Sequence, residues 1–494
     1  MPYRASGILL HPTSFPSPFG IGDLGQEAYN FIDWLAKSGQ KLWQVLPLGP
    51  TGFGNSPYMS YSSMAGNPLL ISPEKLRENG LLTEEDLANP PKFPEESVDF
   101  ERVTIYKMDL LGKAYEKFKT KPQDEFEEFC KQKAEWLNDY AIFMAVRKAN
   151  RGQIWNNWKP ALAKHEPEAI QACELFLDAE INFQKYLQFE FFRQWKALKQ
   201  YANERGIEII GDIPIYVSHD SSDVWSYPKA FCVHPRTGNP TLIAGVPPDY
   251  FSSTGQLWGN PVYNWFQLKR ENYQWWVKRF QGLLDLVDWI RIDHFRGFES
   301  FWAVKYGLPT AEKGKWIRGP GADFFEVIEK ELGSLKIIAE DLGVITPEVE
   351  ALRDRFNFPG MKILQFAFGS GAGNPYLPHN YPRNCVVYTG THDNDTTVGW
   401  FNRLSESEKN TIRNYLGGMA SEEINWALIR LALFSVADWA IIPLQDILGL
   451  GSKARMNTPG CPEGNWAWRY KPGALTDELS WRLLTLTGTY GRCN

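Results

Sequence analysis

Short apolar runs that end in polar or in glycine- and proline-rich turns are the feature that most constrains the fold of this chain. Runs of this length, with helix-like segments between many of them, are typical of buried strands in a parallel sheet. The alternation of strand and helix predicts successive βα units. The predicted strands cover residues 42–46, 207–210, 289–292, 336–339, 361–368, 386–389 and 439–444.

Two predicted helices show the alternation most clearly. One covers residues 275–287, directly before the strand at 289–292, and the other covers 324–332, before the strand at 336–339. Asp323 is placed to cap the start of the second helix, and Gly333 is placed to end it. The two helices support an α/β fold in which each strand is followed by a crossover helix.

The length of 494 residues exceeds what such a fold needs. A closed βα barrel takes about 250 residues, so we expect large insertions. Residues 73–204 are rich in Glu and Lys and are predicted to be mainly helical, with helices near 107–121 and 124–148. We therefore predict a (β/α)8 barrel of the TIM type with helical and loop insertions around its carboxyl-terminal face. The start of the barrel would be residues 1–72, the helical insertion 73–204 and the remainder 205–494.

Residues 234–264 hold many Pro, Gly, Asn and aromatic residues. Long stretches without regular structure usually carry function, so we expect an irregular active-site loop here. The chain also has 20 Trp, 21 Tyr and 30 Phe residues. That content fits either a bulky core or a surface that stacks on flat ligands such as sugar rings.

Charge and targeting signals exclude several classes of partner. The net charge is −6, with 52 basic and 58 acidic residues and no basic stripe, so a nucleic-acid partner is not expected. The six cysteines are far apart and form no C-x-x-C pair, which argues against a zinc site and a disulfide framework. The amino-terminal apolar run is too short for a signal-peptide core, and the longest apolar stretch contains Asp438. We expect a cytoplasmic protein without a membrane partner.

Acidic residues follow four of the predicted strands, where a βα barrel places its catalytic groups. A single acid at a strand end often only caps the next helix, but four such ends, two of them with an adjacent histidine, favour a shared site. The strand-end acids are Asp212, Asp293, Glu340 with Asp341, and Asp393 with Asp395; the histidines are His294 and His392.

The spacing of these acids fits glycoside transfer. Retaining cleavage needs a nucleophilic carboxylate and a proton-donating carboxylic acid about 5 Å apart, which neighbouring strand ends can supply. Arg291 and Asp293 share a strand face, so we expect Arg291 to lower the pKa of Asp293 and keep it ionised. Only one of Glu340 and Asp341 can face the site, and the pattern does not separate Asp393 from Asp395.

Several strings resemble those of known proteins. Residues 211–212, 291–294, 339–341 and 391–393 are similar, in sequence and in order, to the signature regions of the α-amylase clan. Further strings resemble the amylomaltase or disproportionating-enzyme family, glycoside hydrolase family 77, and they run from near the start of the chain to near its end. They are residues 56–58, 65–68, 248–252, 255–261, 291–297, 390–396 and 465–469.

The resemblance implies roles for individual residues. Asp293 resembles the nucleophile, Glu340 the acid/base, and Asp393 the third carboxylate, which favours the distorted transition state. Asp395 would then be a structural partner or a helix cap. The resemblance also implies substrate-binding roles, at the cleavage point for Arg291, His294 and His392, and at glucan subsites for Tyr58, Asp212, Asp249, Gln256, Trp258 and Asn465.

The activity implied by the resemblance is that of a 4-α-glucanotransferase. Such an enzyme moves α-1,4-glucan segments between maltooligosaccharides or longer glucans through a covalent glucosyl enzyme, and it needs no metal and no organic cofactor. One alternative is an α-glucan hydrolase or debranching-type transferase of the same clan. Another is a non-catalytic glucan-binding protein. The sequence carries no signal for an oligomeric state.

Transfer is expected to win over hydrolysis if the acceptor is held in place and water is excluded. Residues 250–258 contain Phe251 and Trp258, whose rings can stack on a glucan, and Gly255, which permits a hinge or tight turn. We expect this loop to cover the bound chain. The alternative is a surface loop that is merely anchored by its aromatic residues.

Overall fold

Eight parallel strands form a nearly closed barrel in the computed structural model, which describes residues 3–248 and 252–493. The strands of the chain are β1 (Ala5–Leu9), β2 (Leu42–Gln44), β3 (Glu208–Ile213), β4 (Leu242–Val246), β5 (Gln256–Pro261), β6 (Trp289–Ile292), β7 (Ser300–Lys305), β8 (Lys315–Arg318), β9 (Ile337–Ala339), β10 (Gly360–Ile363), β11 (Cys385–Tyr388) and β12 (Trp439–Pro443). The barrel order is β10-β11-β12-β1-β2-β3-β6-β9. The two ends of the sheet meet where the Ala339 amide donates to the Pro359 carbonyl at 2.9 Å.

Each predicted strand is present, although the one predicted at 361–368 stops at Ile363 and continues as a short 3-10 helix, Leu364–Phe366. The strand β1 was not predicted. Its sequence is ASGIL, and its small residues give no apolar run of strand length. Gly7 shows why they are small: a Cβ there would lie 2.2 Å from the Leu42 carbonyl oxygen of β2.

Helices cover the outside of the barrel and fill the long stretch between β2 and β3. They are α1 (Gln26–Lys37), α2 (Pro73–Glu78), α3 (Glu84–Leu87), α4 (Phe100–Phe118), α5 (Asp124–Gln132), α6 (Ala134–Ala149), α7 (Pro160–Ala163), α8 (Pro167–Phe176), α9 (Asp178–Glu204), α10 (Ser222–Ser226), α11 (Trp265–Arg270), α12 (Gln274–Leu286), α13 (Ala322–Leu332), α14 (Pro347–Arg355), α15 (Thr397–Arg403), α16 (Glu406–Leu416), α17 (Ile424–Phe434), α18 (Leu444–Ile447) and α19 (Asp477–Thr489). Over residues 3–248 and 252–493, none of the helices combines the length and the apolar character that crossing a membrane requires.

The helix α13 begins earlier than its predicted start. Gly321 lies at its amino-terminal cap, so Asp323 falls inside the first turn and accepts a hydrogen bond from the Tyr273 hydroxyl at 2.9 Å. The predicted capping role of Asp323 was therefore wrong, because the helix starts two residues earlier, at Ala322. Gly333 ends the helix as expected, with φ at 80°.

Residues 73–204 contain the helices α2 to α9, and the helix predicted at 124–148 is divided in two at Lys133. The last of these helices, α9, lies directly against the barrel. Its Trp195 ring packs on Trp43 of β2 with 6.0 Å between centroids, and its indole N–H donates to the Leu286 carbonyl at 2.8 Å.

A buried ion pair joins this helical stretch to the loop after β1. Lys107 of α4 is fully buried, and its ammonium lies 3.1 Å from the Asp23 carboxylate while it also donates to the Leu69 carbonyl at 2.8 Å. Removing one partner of such a buried pair typically costs about 3–5 kcal/mol. The pair therefore fixes α4 firmly beside the barrel.

Residues 234–264 were predicted to be irregular, and the prediction was wrong for two segments of this stretch. The strands β4 and β5 lie within it and join β7 and β8 in an antiparallel sheet of order β5-β4-β7-β8. Local composition does not reveal this sheet, because β4 pairs with β7, a strand about 60 residues further along the chain.

Candidate functional site

Arg291 is buried between two carboxylates at the carboxyl ends of β3 and β6. The two strands are neighbours, and Asp212 lies opposite Arg291 in their register. The Arg291 guanidinium donates to Asp212 at 2.6 Å and to Asp293 at 3.1 Å, both through Nη1. Asp212 also accepts a hydrogen bond from the Tyr58 hydroxyl at 2.7 Å. The structure thus brings four of the predicted site residues into one hydrogen-bonded group.

Glu340 follows β9, the other neighbour of β6, and two backbone amides hold its carboxyl group. The amide of His294 donates to Oε2 at 2.6 Å, and the amide of Leu342 donates to Oε1 at 3.0 Å. His294 adopts the left-handed conformation with φ 51° and ψ 49°. Residues other than glycine seldom adopt it, although histidine does so more often than most. The turn after Asp293 therefore presents its amide to Glu340.

Asp341 points away from this group. It forms an ion pair with Arg353 and accepts a hydrogen bond from the Met361 amide at 2.7 Å. Alternation along the chain had left open which of the two acids faces the site. The contacts assign Glu340 to the site and Asp341 to the packing between β9 and β10.

Asp393 lies in the turn after β11, and its carboxylate is 49% exposed. The Asn457 side-chain amide donates to it at 2.6 Å, and the His392 ring nitrogen Nε2 lies 3.4 Å from it. The His392 ring stacks on Tyr58 with 5.0 Å between centroids. Since Tyr58 donates to Asp212, a continuous series of contacts joins Asp393 to the Arg291 group.

Asp395 occupies a different environment. Its side chain is buried, pairs with Arg403 at 2.6 Å and accepts from the Ser452 hydroxyl at 2.7 Å. The cap of the next helix is Thr396. Asp395 is therefore a structural partner, and the two acids that the sequence pattern could not separate differ clearly in exposure and contacts.

The pKa values of Asp293 and Glu340 are both raised. Desolvation is the largest cause and brings the pKa of Asp293 to about 7 and that of Glu340 to about 8. The expectation that Arg291 holds the pKa of Asp293 below its usual value was wrong. Arg291 does lower it, but burial and the negative charges of Asp212 and Asp393 outweigh that effect.

The raised values imply that the two groups share one proton near neutral pH. Glu340 has the higher pKa, and the charge of Asp293 contributes to it. Two interacting carboxyl groups cannot both ionise easily in a site with few cations. The arrangement can therefore supply one carboxylate and one carboxylic acid together.

Trp258 and Gln256 form a wall beside His294, the residue whose amide donates to Glu340. The Trp258 ring packs edge-on against His294 with 4.9 Å between centroids, and its indole N–H donates to the Gln256 side chain at 3.2 Å. Burial lowers the pKa of His294 to about 3, so this ring is neutral at physiological pH. Burial also lowers the pKa of His392.

One predicted site residue, Asn465, has no contact with the carboxylates, and a second lies outside the described residues. Asn465 accepts from the Thr458 amide at 2.9 Å and donates to the Cys461 carbonyl at 2.7 Å, so its side chain fixes its own loop. Its role at a glucan subsite stays a prediction. Asp249 lies outside the described residues, as does Phe251.

Sequence reasoning missed two groups that hold the carboxylates. Asn457, which contacts Asp393, follows no strand and lies 64 residues away in the chain. The Leu342 amide contributes only its backbone, so no residue type signals its contact with Glu340. The ring centroids of Trp466 and Tyr58 are 5.7 Å apart, and Trp466 appeared in the sequence analysis only within the string 465–469.

Comparison with known proteins identifies the family of this chain. A family model described as 4-alpha-glucanotransferase matches residues 10–476. The 4-alpha-glucanotransferase of Synechocystis sp. is 56% identical over 99% of this chain and 98% of its own, and that of Thermus thermophilus is 50% identical over 97% of each.

Solved structures of amylomaltases match this chain as well. The amylomaltase from Streptococcus agalactiae, in complex with acarbose, matches with a TM-score of 0.97 and 39% identity over 99% of this chain and 100% of that chain. The amylomaltase from Corynebacterium glutamicum matches at TM-score 0.81 and 18% identity, covering 99% of this chain and 75% of that chain, which shows the shared fold. The chain therefore belongs to the 4-alpha-glucanotransferase family, glycoside hydrolase family 77.

Proposed function

We propose that this chain, as a 4-alpha-glucanotransferase, moves α-1,4-glucan segments to the 4-hydroxyl of an acceptor glucan or glucose through a glucosyl ester on Asp293. The observation that carries the mechanism is the pair of carboxyl groups at the neighbouring ends of β6 and β9, of which Asp293 accepts from the Arg291 guanidinium and Glu340 accepts from two backbone amides. Maltooligosaccharides and longer α-1,4-glucans would be the substrates.

In the first half of the reaction Glu340 acts as the acid. It gives its proton to the glycosidic oxygen as the bond from C1 to that oxygen breaks, and the bonding electrons leave with the oxygen. The Asp293 carboxylate forms a bond to C1 from the opposite face. The fragment beyond the cleaved bond departs with a new 4-hydroxyl, and the remaining segment is an ester of Asp293.

In the second half Glu340, now ionised, acts as the base. It takes the proton from the acceptor 4-hydroxyl while that oxygen attacks C1 and the ester bond to Asp293 breaks. Two inversions at C1 retain the α configuration. The exposed negative charge of Asp393 would stabilise the positive charge that develops on the sugar ring in both transition states.

The wall formed by Gln256 and Trp258 would cover the bound chain and favour an acceptor over water. The turn before it is well fixed, because Ser252 donates through its hydroxyl to the Gly255 carbonyl at 2.7 Å. Gly255 has φ at 68°, and a Cβ there would lie 2.3 Å from the Val246 carbonyl oxygen. A tight turn that only glycine permits thus presents Trp258 to His294.

The division into residues 1–72, 73–204 and 205–494 is kept as part of this proposal. The helical stretch would frame one side of the glucan groove, and the contacts of Lys107 and Trp195 support a fixed position beside the barrel. The cytoplasmic location stays a prediction from the sequence.

Maltotriose as sole substrate tests the function. We expect glucose together with oligomers longer than maltotriose, whereas a hydrolase would yield only glucose and maltose and a glucan-binding protein would yield neither.

Asp293→Asn should lower the rate by about 1000-fold or more, because a neutral amide does not attack C1. Asp285→Asn, at an exposed carboxylate on α12, is the matched control and should retain activity. Normal transfer by Asp293→Asn would refute the mechanism.

The pH dependence of kcat/KM should be bell-shaped. Activity rises as Asp293 ionises near pH 7 and falls as Glu340 loses its proton near pH 8. Asp212→Asn removes a negative charge that raises the pKa of Asp293. Asp293 then becomes the one charged partner of Arg291 in this hydrogen-bonded group. We therefore expect the acidic limb of Asp212→Asn to move to lower pH, while that of Asp285→Asn stays in place. A limb that stays or moves upward in Asp212→Asn would contradict the assignment.

Trp258→Ala, alone and with Phe251→Ala, should raise the fraction of turnovers that end in hydrolysis. Transfer conserves the number of reducing ends and hydrolysis creates new ones, so reducing ends per bond cleaved measure this fraction. Trp481→Ala, at an exposed indole on α19, is the matched control. If the fraction is the same in Trp258→Ala and Trp481→Ala, the wall does not exclude water.

A further inference from the structure

The turn that carries Asp393 is held by a short segment more than 60 residues away in the chain. The Asn457 side-chain amide donates to Asp393 Oδ1 at 2.6 Å, and the Asn457 backbone amide donates to the His392 carbonyl at 3.1 Å. Arg455 donates through Nη2 to the Asp393 carbonyl at 2.6 Å. The segment therefore contacts both the backbone and the carboxylate of this turn.

Arg455 also fixes Asn457 itself, because its Nε donates to the Asn457 carbonyl at 2.6 Å. Between these two residues the Met456 carbonyl accepts from the Trp466 amide at 2.7 Å. The ring centroids of Trp466 and His392 are 5.9 Å apart. The backbone of Asn457 is thus fixed by Arg455, by the contact between Met456 and Trp466 and by the His392 carbonyl, and none of these contacts involves the Asp393 side chain.

Asp393 needs such a partner more than the other two acids do. Arg291 holds Asp293, and two backbone amides hold Glu340. The Asp393 carboxylate is half exposed in a turn, where its side chain would otherwise sample several rotamers. A neutral amide fixes one oxygen without a positive charge, so the negative charge stays available for the sugar.

We infer that Asn457 is a positioning residue for the third carboxylate and that Arg455 sets the position of Asn457. The inference rests on the proposed function, since it needs Asp393 to act on the sugar ring. Asn457 fixes Asp393 Oδ1, so the carboxylate is already oriented before the ring distorts. Its effect is therefore on the transition state more than on substrate binding, and its loss appears in kcat.

Asn457→Ala tests the inference by steady-state transfer from maltotriose. We expect kcat to fall by about 10- to 100-fold, the scale of a small misplacement of a reacting group, with KM changed by less than about 3-fold. Asn410→Ala, at an exposed amide on α16, is the matched control and should match the parent enzyme. Equal activity of Asn457→Ala and Asn410→Ala, or a change confined to KM, would overturn the inference.

Asn457→Asp keeps the shape of the side chain and adds a measurement that a purely structural role would not affect. The added carboxylate repels Asp393 instead of donating to it, so Asp393 loses its position although the side chain at 457 keeps its size. We expect kcat to fall at least as far as in Asn457→Ala, and a kcat equal to that of the parent enzyme would contradict the inference.

A double-mutant cycle separates this inference from the proposed function. Asp393→Asn should abolish most activity, and adding Asn457→Ala to it should cost little more, because the amide acts through Asp393. Full activity of Asp393→Asn would refute the role of the third carboxylate itself. A large loss in Asp393→Asn together with additive losses in the double variant would refute only the positioning role.

Discussion

The buried guanidinium of Arg291 is the interaction on which the rest of the site depends. It is shared between Asp212 and Asp293, and its charge also acts on Glu340. One cation cannot neutralise three carboxyl groups of which two are buried and the third, Asp293, is partly buried. The pKa values of Asp293 and Glu340 are therefore both raised, and Glu340 is the better place for a proton because Asp293 is paired with the guanidinium and Glu340 accepts from neutral backbone amides. The roles that we propose for Glu340 as the acid and Asp293 as the nucleophile follow from this shortage of positive charge.

The barrel brings these charged residues together. The strands β3, β6 and β9 are neighbours, so the residues that follow them lie side by side at one rim of the sheet. Asp393 reaches the same group from β11 through a turn, and its position relies on ring stacking between His392 and Tyr58 and on the Asn457 amide. Asp293 and Glu340 thus lie at the ends of adjacent barrel strands, whereas the contacts of Asp393 come from loop residues.

The sequence alone predicted the barrel and the strand-end acids, because buried parallel strands and their polar ends leave a local pattern. It did not predict β1, whose small residues follow from the close approach of β2 at Gly7. It did not predict the sheet that contains β4 and β5, since β4 pairs not only with β5 but also with β7, which lies about 60 residues further along the chain. The pKa of Asp293 was predicted in the wrong direction because the partner Arg291 is visible in the sequence and burial is not. No local sequence pattern indicates that Asn457 contacts Asp393.

Trapping the covalent intermediate tests the account most directly. Glu340→Gln cannot activate an acceptor, so an α-maltosyl fluoride donor, whose leaving group needs no acid, should leave one maltosyl group attached to the protein. The account predicts a stoichiometric mass increase that fragment mass spectrometry locates on Asp293. Attachment to Asp393 or to any other residue, or rapid turnover of the fluoride without an adduct, would contradict it.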